Sequence, residues 1–309
     1  MMRHVTASPA SPPAAPAASP PLPGLIRSLA DLQALERGAR RVEVSGVHGP
    51  MVWHAWEPSG AAAVPEPVVL LHGGSGSWTH WARNLAALVR AGRRVWVPDL
   101  PGFGDSARPP SGGDADALPE PMEAALRELF GDSSVDLVGF SFGGMVGTLM
   151  AAQAPARVRR LVLTGAPALG VNPDFRLVLR AWGGLTGEAL AAAHRHNLAT
   201  LMLARPESID DLALAIHADN LARDRMKLRR LSRTRIVLET LPAVRCPVYG
   251  IWGAEDVLYR GVTAGLAPAL AHAPGFRRLE MIAGAGHWVQ YEDAAAYDAA
   301  LAGVLAEPA

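Results

Sequence analysis

The sequence predicts an α/β protein: a mostly parallel, doubly wound sheet, with an antiparallel hairpin ahead of it and a helical insertion late in the chain. Three observations carry this expectation. Short apolar runs recur at Val68–Leu71, Arg94–Val97, Val135–Val138, Val158–Leu163 and Val248–Trp252, with helical stretches between them. That is the pattern of strands buried on both faces and joined by crossover helices. Upstream, RRVEVSGVHGPMVWHAW alternates on either side of Gly46 and Gly49-Pro50, as a hairpin does. From about Asn172 to Leu241 the strand pattern stops and only helical periodicity remains.

Composition sets the outer bounds. The chain has 309 residues, 50% of them apolar, enough to bury a full core. Lysine plus arginine equals aspartate plus glutamate at 29 each, so no net field draws nucleic acid, and a small-molecule partner is expected. Cys246 is the only cysteine, which excludes an internal disulfide and points to no metal or redox cluster. A reducing, cytoplasmic setting is the corresponding expectation.

Residues 1–24 are mostly proline, alanine and serine and are expected to be a disordered leader, since such a segment buries too little to offset its ordering entropy. Residues 25–171 and 242–309 then form the core, and 172–241 a helical cap. Leu25 to Arg37 opens the core with leucines and Ile26 at helical spacing. The charge-free stretch Leu137 to Ala156 has the length of a membrane span. Its glycines, Gln153 and Pro155 make it a buried strand, turn and helix instead, and no membrane partner is expected.

The chemistry gathers where these runs end. GFSFGG, residues 139 to 144, places Ser141 between the strand at Val135–Val138 and a helix expected over Met145 to Gln153. A serine on such a turn projects its oxygen clear of the sheet, and Gly139 and Gly143 remove side chains that would collide there. The following helix points its N-terminus at the same spot, favouring negative charge on a reacting oxygen. A hydroxyl needs a base within reach and a carboxylate to orient that base. His287 follows the apolar run Leu279 to Ile282 on the glycine-rich turn AGAGH, and Asp256 follows Val248–Trp252 in GAED. Glu255 is a physically capable neighbour, and Asp136 a second rival acid.

HGGS at 72 to 75 ends the run Val68–Leu71. Its glycines let backbone N–H groups approach a reacting oxygen, so Gly74 and Phe142 N–H are the candidate oxyanion hole. His72 is read as a brace for that loop, and Asp99 and Asp105 as braces of PDLPGFGDS. Of the other histidines, His54 lies in the hairpin and His80 near a helix start, while His194, His196, His217 and His272 are read as solvated groups on helical stretches.

In its order of motifs the chain resembles the α/β-hydrolase superfamily from about Arg41 to the C-terminus: LLHGG at 70 to 74, PDLPGFGDS at 98 to 106, GFSFGG, WGAED at 252 to 256 and GAGHWVQYE at 284 to 292. The resemblance implies that fold and a triad of Ser141, Asp256 and His287, with Asp256 preferred over Glu255 because it matches the W-G-x-x-D form. It implies acyl chemistry through an acyl-enzyme, with no cofactor and no metal. The segment HWVQYE at 287 to 292 is similar to that of the meta-cleavage-product hydrolases, which cut a carbon-carbon bond in 2-hydroxy-6-oxo-dienoates from aromatic degradation. The chain departs from them at Gly74-Ser75-Gly76-Ser77, where glycine-proline-glycine is usual, and at Phe142, where methionine is common.

The expectation is therefore a serine hydrolase of esterase or carbon-carbon hydrolase type acting on a small, anionic carbonyl compound. Acyl transfer or perhydrolysis on the same triad, and a non-catalytic binding protein on the same fold, are the alternatives. Seven arginines or lysines lie between Arg223 and Arg235. They form either a solvated helix face or an inward-facing clamp for a substrate carboxylate. Trp182, Met202 and Met226 are candidates for pocket lining or core.

Overall fold

The computed structural model describes residues 22, 24–46, 49–59, 64–109, 113–226 and 228–309. The expected leader falls almost wholly outside these residues, as does the tip of the predicted hairpin. Strand β1 (Arg40–Gly46) pairs antiparallel with β2 (Gly49–Trp56), from Arg40 opposite Ala55 to Gly46 opposite Gly49. The remaining strands are β3 (Val64–Leu71), β4 (Arg93–Pro98), β5 (Val135–Phe140), β6 (Val158–Thr164), β7 (Val248–Gly253) and β8 (Phe276–Ile282). They make one eight-stranded sheet in the order β1-β2-β4-β3-β5-β6-β7-β8. From β4 to β8 all neighbours are parallel, and β2 joins β4 antiparallel.

The apolar runs explain this arrangement. Val68 to Leu71 and Leu161 to Leu163 are fully buried because helices cover both faces of the sheet, so residues pointing either way meet apolar partners. One core layer packs α3 (Pro119–Phe130), α4 (Phe142–Gln153), α7 (Ile236–Thr240) and α8 (Leu266–Leu270) against one face. The other packs α1 (Leu29–Arg37), α2 (Leu85–Arg90), α9 (Val289–Glu292) and α10 (Ala294–Ala306) on the opposite face. Helix α1 starts as its sequence dictates: Ser28 and Asp31 bond each other's backbone N–H in a capping box.

Helix α4 begins three residues earlier than the sequence pattern placed it, at Phe142, because Ser141 itself ends the strand and caps the helix. The stretch from Leu137 to Ala156 is β5, turn and α4, and no helix among the described residues is long and apolar enough to cross a membrane. Between β6 and β7 the described residues hold α5 (Gly187–Asn197), α6 (Asp211–Ala222), α7 and short 3-10 and π turns, without a strand. Since β3 lies between β4 and β5, successive crossovers leave it in opposite directions, and the crevice at such a switch point lies beyond the strand C-termini.

Candidate active site

Four loops leave the C-terminal ends of β3, β5, β7 and β8 on one rim of the sheet. The β5 loop is the tightest. Ser141 has φ +50° and ψ −113°, outside the ordinary regions for an L residue, and is fixed there by its N–H donating to Thr164 O at 2.8 Å. The glycines make the turn sterically feasible: a Cβ on Gly139 would lie 2.5 Å from Gly143 O, and one on Gly143 2.5 Å from Leu71 O.

Ser141 Oγ lies 2.9 Å from His287 Nε2, and His287 Nδ1 lies 2.9 Å from Asp256 Oδ2. The structure thus brings Ser141, His287 and Asp256 into one hydrogen-bonded chain. Asp256 is fully buried, so its remaining oxygen is satisfied locally, Oδ1 accepting from Leu258 N–H at 3.0 Å. The bond to a carboxylate places the imidazole proton on Nδ1 and leaves the Nε2 lone pair facing the serine hydroxyl. Glu255 points elsewhere, exposed and paired with Arg260, and Asp136 sits at the opposite end of β5 among Arg93, Arg159 and Arg160.

The loop after β3 is braced by two histidines. His72 Nε2 accepts from Leu100 N–H at 2.9 Å, so its Nδ1 carries the proton and donates to Gly73 O at 2.8 Å. Burial holds its pKa down at about 4, keeping the ring neutral and able to do both. The second brace was missed by sequence reasoning, which placed His80 only near a helix start. His80 is buried in the 3-10 turn Trp78–Trp81, and its Nδ1 accepts from Gly73 N–H at 3.2 Å. Gly74 and Phe142 adjoin: a Cβ on Gly74 would meet Phe142 Cβ at 3.6 Å. Neither backbone N–H donates to another group among the described residues.

Asp99 braces its loop as expected, accepting from Trp78 N–H and Asp105 N–H at 3.0 and 2.9 Å. Asp105 instead faces outward to Arg223. Two of the histidines expected to be solvated are not: His194 is 5% exposed and His217 is largely covered, the rings meeting edge to face at 5.3 Å between α5 and α6. His272 lies in an exposed turn after α8 and not on a helix.

The basic cluster divides into two sets. Arg225 donates to the carbonyls of Gly104 and Ser106, and Arg223 pairs with Asp219 and Asp105. Arg229 bonds Asp224 at 2.8 Å and Ser75 Oγ at 2.9 Å, its guanidinium 3.6 Å from where a Gly74 Cβ would stand. Arg230, Arg233 and Arg235 face solvent, and Lys227 lies outside the described residues. Met226 and Met202 are buried in the core, Met226 against Gly102, whereas Trp182 is half-buried on His194. On the far side of the site, Glu292 accepts from Ala204, Arg205 and Gly286 N–H, tying the His287 turn to the segment between β6 and β7.

Comparison with known proteins agrees with this architecture. Residues 66–204 match the α/β hydrolase fold family. The chain is 30% identical over 246 residues to the dihydrolipoyllysine-residue acetyltransferase component of the acetoin cleaving system of Pseudomonas putida. That match takes in 74% of this chain and spans 60% of the relative's length. It is 27% identical over 247 residues to the 2-hydroxy-6-oxo-6-phenylhexa-2,4-dienoate hydrolase of Burkholderia cepacia, covering 75% of this chain and 85% of that one. Among solved structures, an esterase from a Rhodococcus species superposes with a TM-score of 0.66 at 22% identity, over 88% of this chain and 99% of that one. The chain has the α/β-hydrolase fold and is a distant relative of the meta-cleavage-product hydrolases.

Proposed function

We propose that the protein is a serine hydrolase that cleaves a small carbonyl compound, an ester or a 2-hydroxy-6-oxo-dienoate, through an acyl-enzyme. The hydrogen-bonded chain from Ser141 through His287 to Asp256 carries this reading. His287 Nε2 takes the serine proton as Oγ attacks the carbonyl carbon, and Asp256 stabilises the imidazolium that forms. The resulting oxyanion accepts from Gly74 and Phe142 N–H, and the N-terminus of α4 adds its dipole. Collapse of the tetrahedral species expels an alkoxide or, from a dienoate that has first shifted to its 2-oxo-3-ene tautomer, a C5 carbanion delocalised as the dienolate; His287 returns the proton to either. Water, deprotonated by His287, then releases the acid and restores Ser141.

Two observations support an anionic substrate. Arg229 is positioned beside Gly74 by Asp224 and Ser75, where a guanidinium faces a carboxylate arriving at the oxyanion loop. The Burkholderia relative, by its name, acts on a dienoate. The test compares aryl esters with 2-hydroxy-6-oxo-dienoates on wild type and Ser141→Ala: the variant should lose turnover of both and labelling by a fluorophosphonate. Retained turnover would remove Ser141 from the mechanism. The acetyltransferase relative supports acyl transfer as a second reading, which product analysis with added alcohol separates from hydrolysis.

A further inference from the structure

Some arginines of the basic cluster pair with no carboxylate among the described residues. Two of them, Arg233 and Arg235, join Arg176 around a groove of about 430 Å³. Its other walls are the loop after β6, from Pro167 to Pro173, and Leu258 with Tyr259. No aspartate or glutamate lines it, and among the described residues none of the three guanidiniums has a carboxylate within 4.0 Å. In a chain with 29 basic and 29 acidic residues, an acid-free groove with three cations is not a by-product of overall charge.

The groove also holds its arginines in place. Gly170 has φ +70°, and Arg235 crosses it so closely that a Cβ there would lie 3.1 Å from Nε. Arg176 Nη1 donates to Phe175 O at 2.8 Å and to Pro173 O at 3.3 Å, which orients the guanidinium, while its Nε and Nη2 donate to no group among the described residues. Ser232 and Thr234 add hydroxyls, and Leu169, Val171 and Leu258 supply an apolar wall. Like charges gathered over a low-dielectric wall focus a positive potential that a polyanion relieves. Planar guanidiniums match phosphate oxygens in bidentate fashion, and three of them exceed what a single carboxylate needs.

We propose that this groove is a binding site for a phosphate-class polyanion of small-molecule size. It abuts the candidate active site on the side of Asp256. Pro167 lies two residues beyond Gly165, which packs on His287, while Leu258 and Tyr259 N–H both bond Asp256. The polyanion reaches this position either as the tail of an acyl substrate, a source that rests on the hydrolase reading, or as a free ligand.

Calorimetric titration of the full chain with inorganic pyrophosphate tests the site itself. Saturable binding is expected in wild type, weakened at least tenfold in Arg233→Ala/Arg235→Ala and also weakened by raising salt from 50 to 200 mM, a range over which screening lengths shorten. All three side chains are exposed, so the variants should melt as wild type does. Absence of saturable binding, or equal affinity in the double variant, overturns the proposal. Two aryl esters of equal length, one ending in a phosphate and one neutral, distinguish the sources. A substrate tail lowers KM for the phosphate ester in wild type, and the double variant raises it about tenfold with the neutral ester unaffected. A free ligand leaves the two KM values alike while pyrophosphate still binds. If no ester turns over and fluorophosphonate does not label Ser141, the hydrolase reading fails, and the pyrophosphate titration still decides the groove.

Discussion

Substituting Gly165 by alanine separates the placement of His287 from its mere presence. Gly165 follows β6 with φ +54°, a left-handed conformation that costs an L residue about 1–2 kcal/mol. The added methyl would lie 3.2 Å from His287 Cε1 and Nδ1 and 3.3 Å from Asp256 Oδ2. Ordinary contact needs roughly 3.5–4.0 Å, so the ring must give by about 0.3–0.8 Å. Phe140 packs on the same ring with centroids 5.1 Å apart, which steers that movement along the two 2.9 Å hydrogen bonds. A displacement of 1 Å costs about 100-fold in rate, so this one should cost roughly 4- to 40-fold, or about 1–2 kcal/mol in the barrier. Steady-state kinetics on an aryl ester should show kcat down about tenfold with KM within twofold, and fluorophosphonate labelling slowed in parallel. A folded Gly165→Ala protein with kcat within twofold of wild type would refute the argument that the imidazole has no room to move.

Other consequences can be measured independently. Asp224→Ala removes the acceptor for Ser75 Oγ at 2.6 Å and for Arg229, freeing an oxyanion loop whose Ser75 sits at φ +48°. Ester kcat should fall about tenfold, a fraction of what losing an oxyanion donor costs, and unchanged kinetics would make the contact passive. Burial pushes the Cys246 thiol up to about 11, so at pH 8 only ~0.1% is thiolate. Iodoacetamide should leave it unmodified in the native protein and alkylate it after denaturation; mass spectrometry showing rapid native labelling would contradict the burial. His54, His72 and His217 are held by burial at about 4, below the ordinary 6.5, so the unfolded chain binds the extra protons and stability falls as pH drops from 6.5 towards 4. Each costs about 2 kcal/mol between pH 7 and 5, while Asp298, raised by burial to about 7, works in the opposite direction by a similar amount. Burial lowers His80 and His194 in the same direction as the other three, so a net loss of at least about 3 kcal/mol should appear in urea midpoints, and a flat profile from pH 7 to 5 would count against these neutral imidazoles.

The sheet was legible because burial on both faces leaves a continuous apolar run in the sequence, and β3, β5, β6 and β7 each carry one. The positions of Ser141, Asp256 and His287 were legible for a related reason: each follows such a run, on a turn whose glycines the close backbone approaches require. What the sequence concealed is long-range polar pairing. His80 braces Gly73 only seven residues away, yet nothing local marks a histidine in a 3-10 turn as an acceptor for that N–H. Glu292 closes on Gly286 together with Ala204 and Arg205, residues that come near only when the insertion folds back. The basic cluster looked uniform along the chain because its division depends on Asp105, Asp224 and the 104–106 carbonyls. His194 and His217 were misread for the same reason: a helical position says which face a ring takes, not whether another helix covers that face.

These concealed contacts share one geometric property, which bears on how the site works. On one side of Ser141, the segment between β6 and β7 holds the loop after β3 through Asp224 and Arg229 on Ser75 and Asn220 on Thr79. On the other, it receives Glu292 through Ala204 and Arg205 N–H and packs Met202 O against Trp288 N–H, next to His287. The loop after β3 and the His287 turn are therefore fixed to the same segment between β6 and β7, from opposite flanks, and not to the sheet alone. A substitution that loosens the insertion would shift both in concert. Its kinetic signature is a loss in kcat larger than either contact accounts for singly, since residues acting as a unit are not additive. A double-mutant cycle between Asp224→Ala and Glu292→Gln reads this directly, and strict additivity would show that the two flanks are held independently.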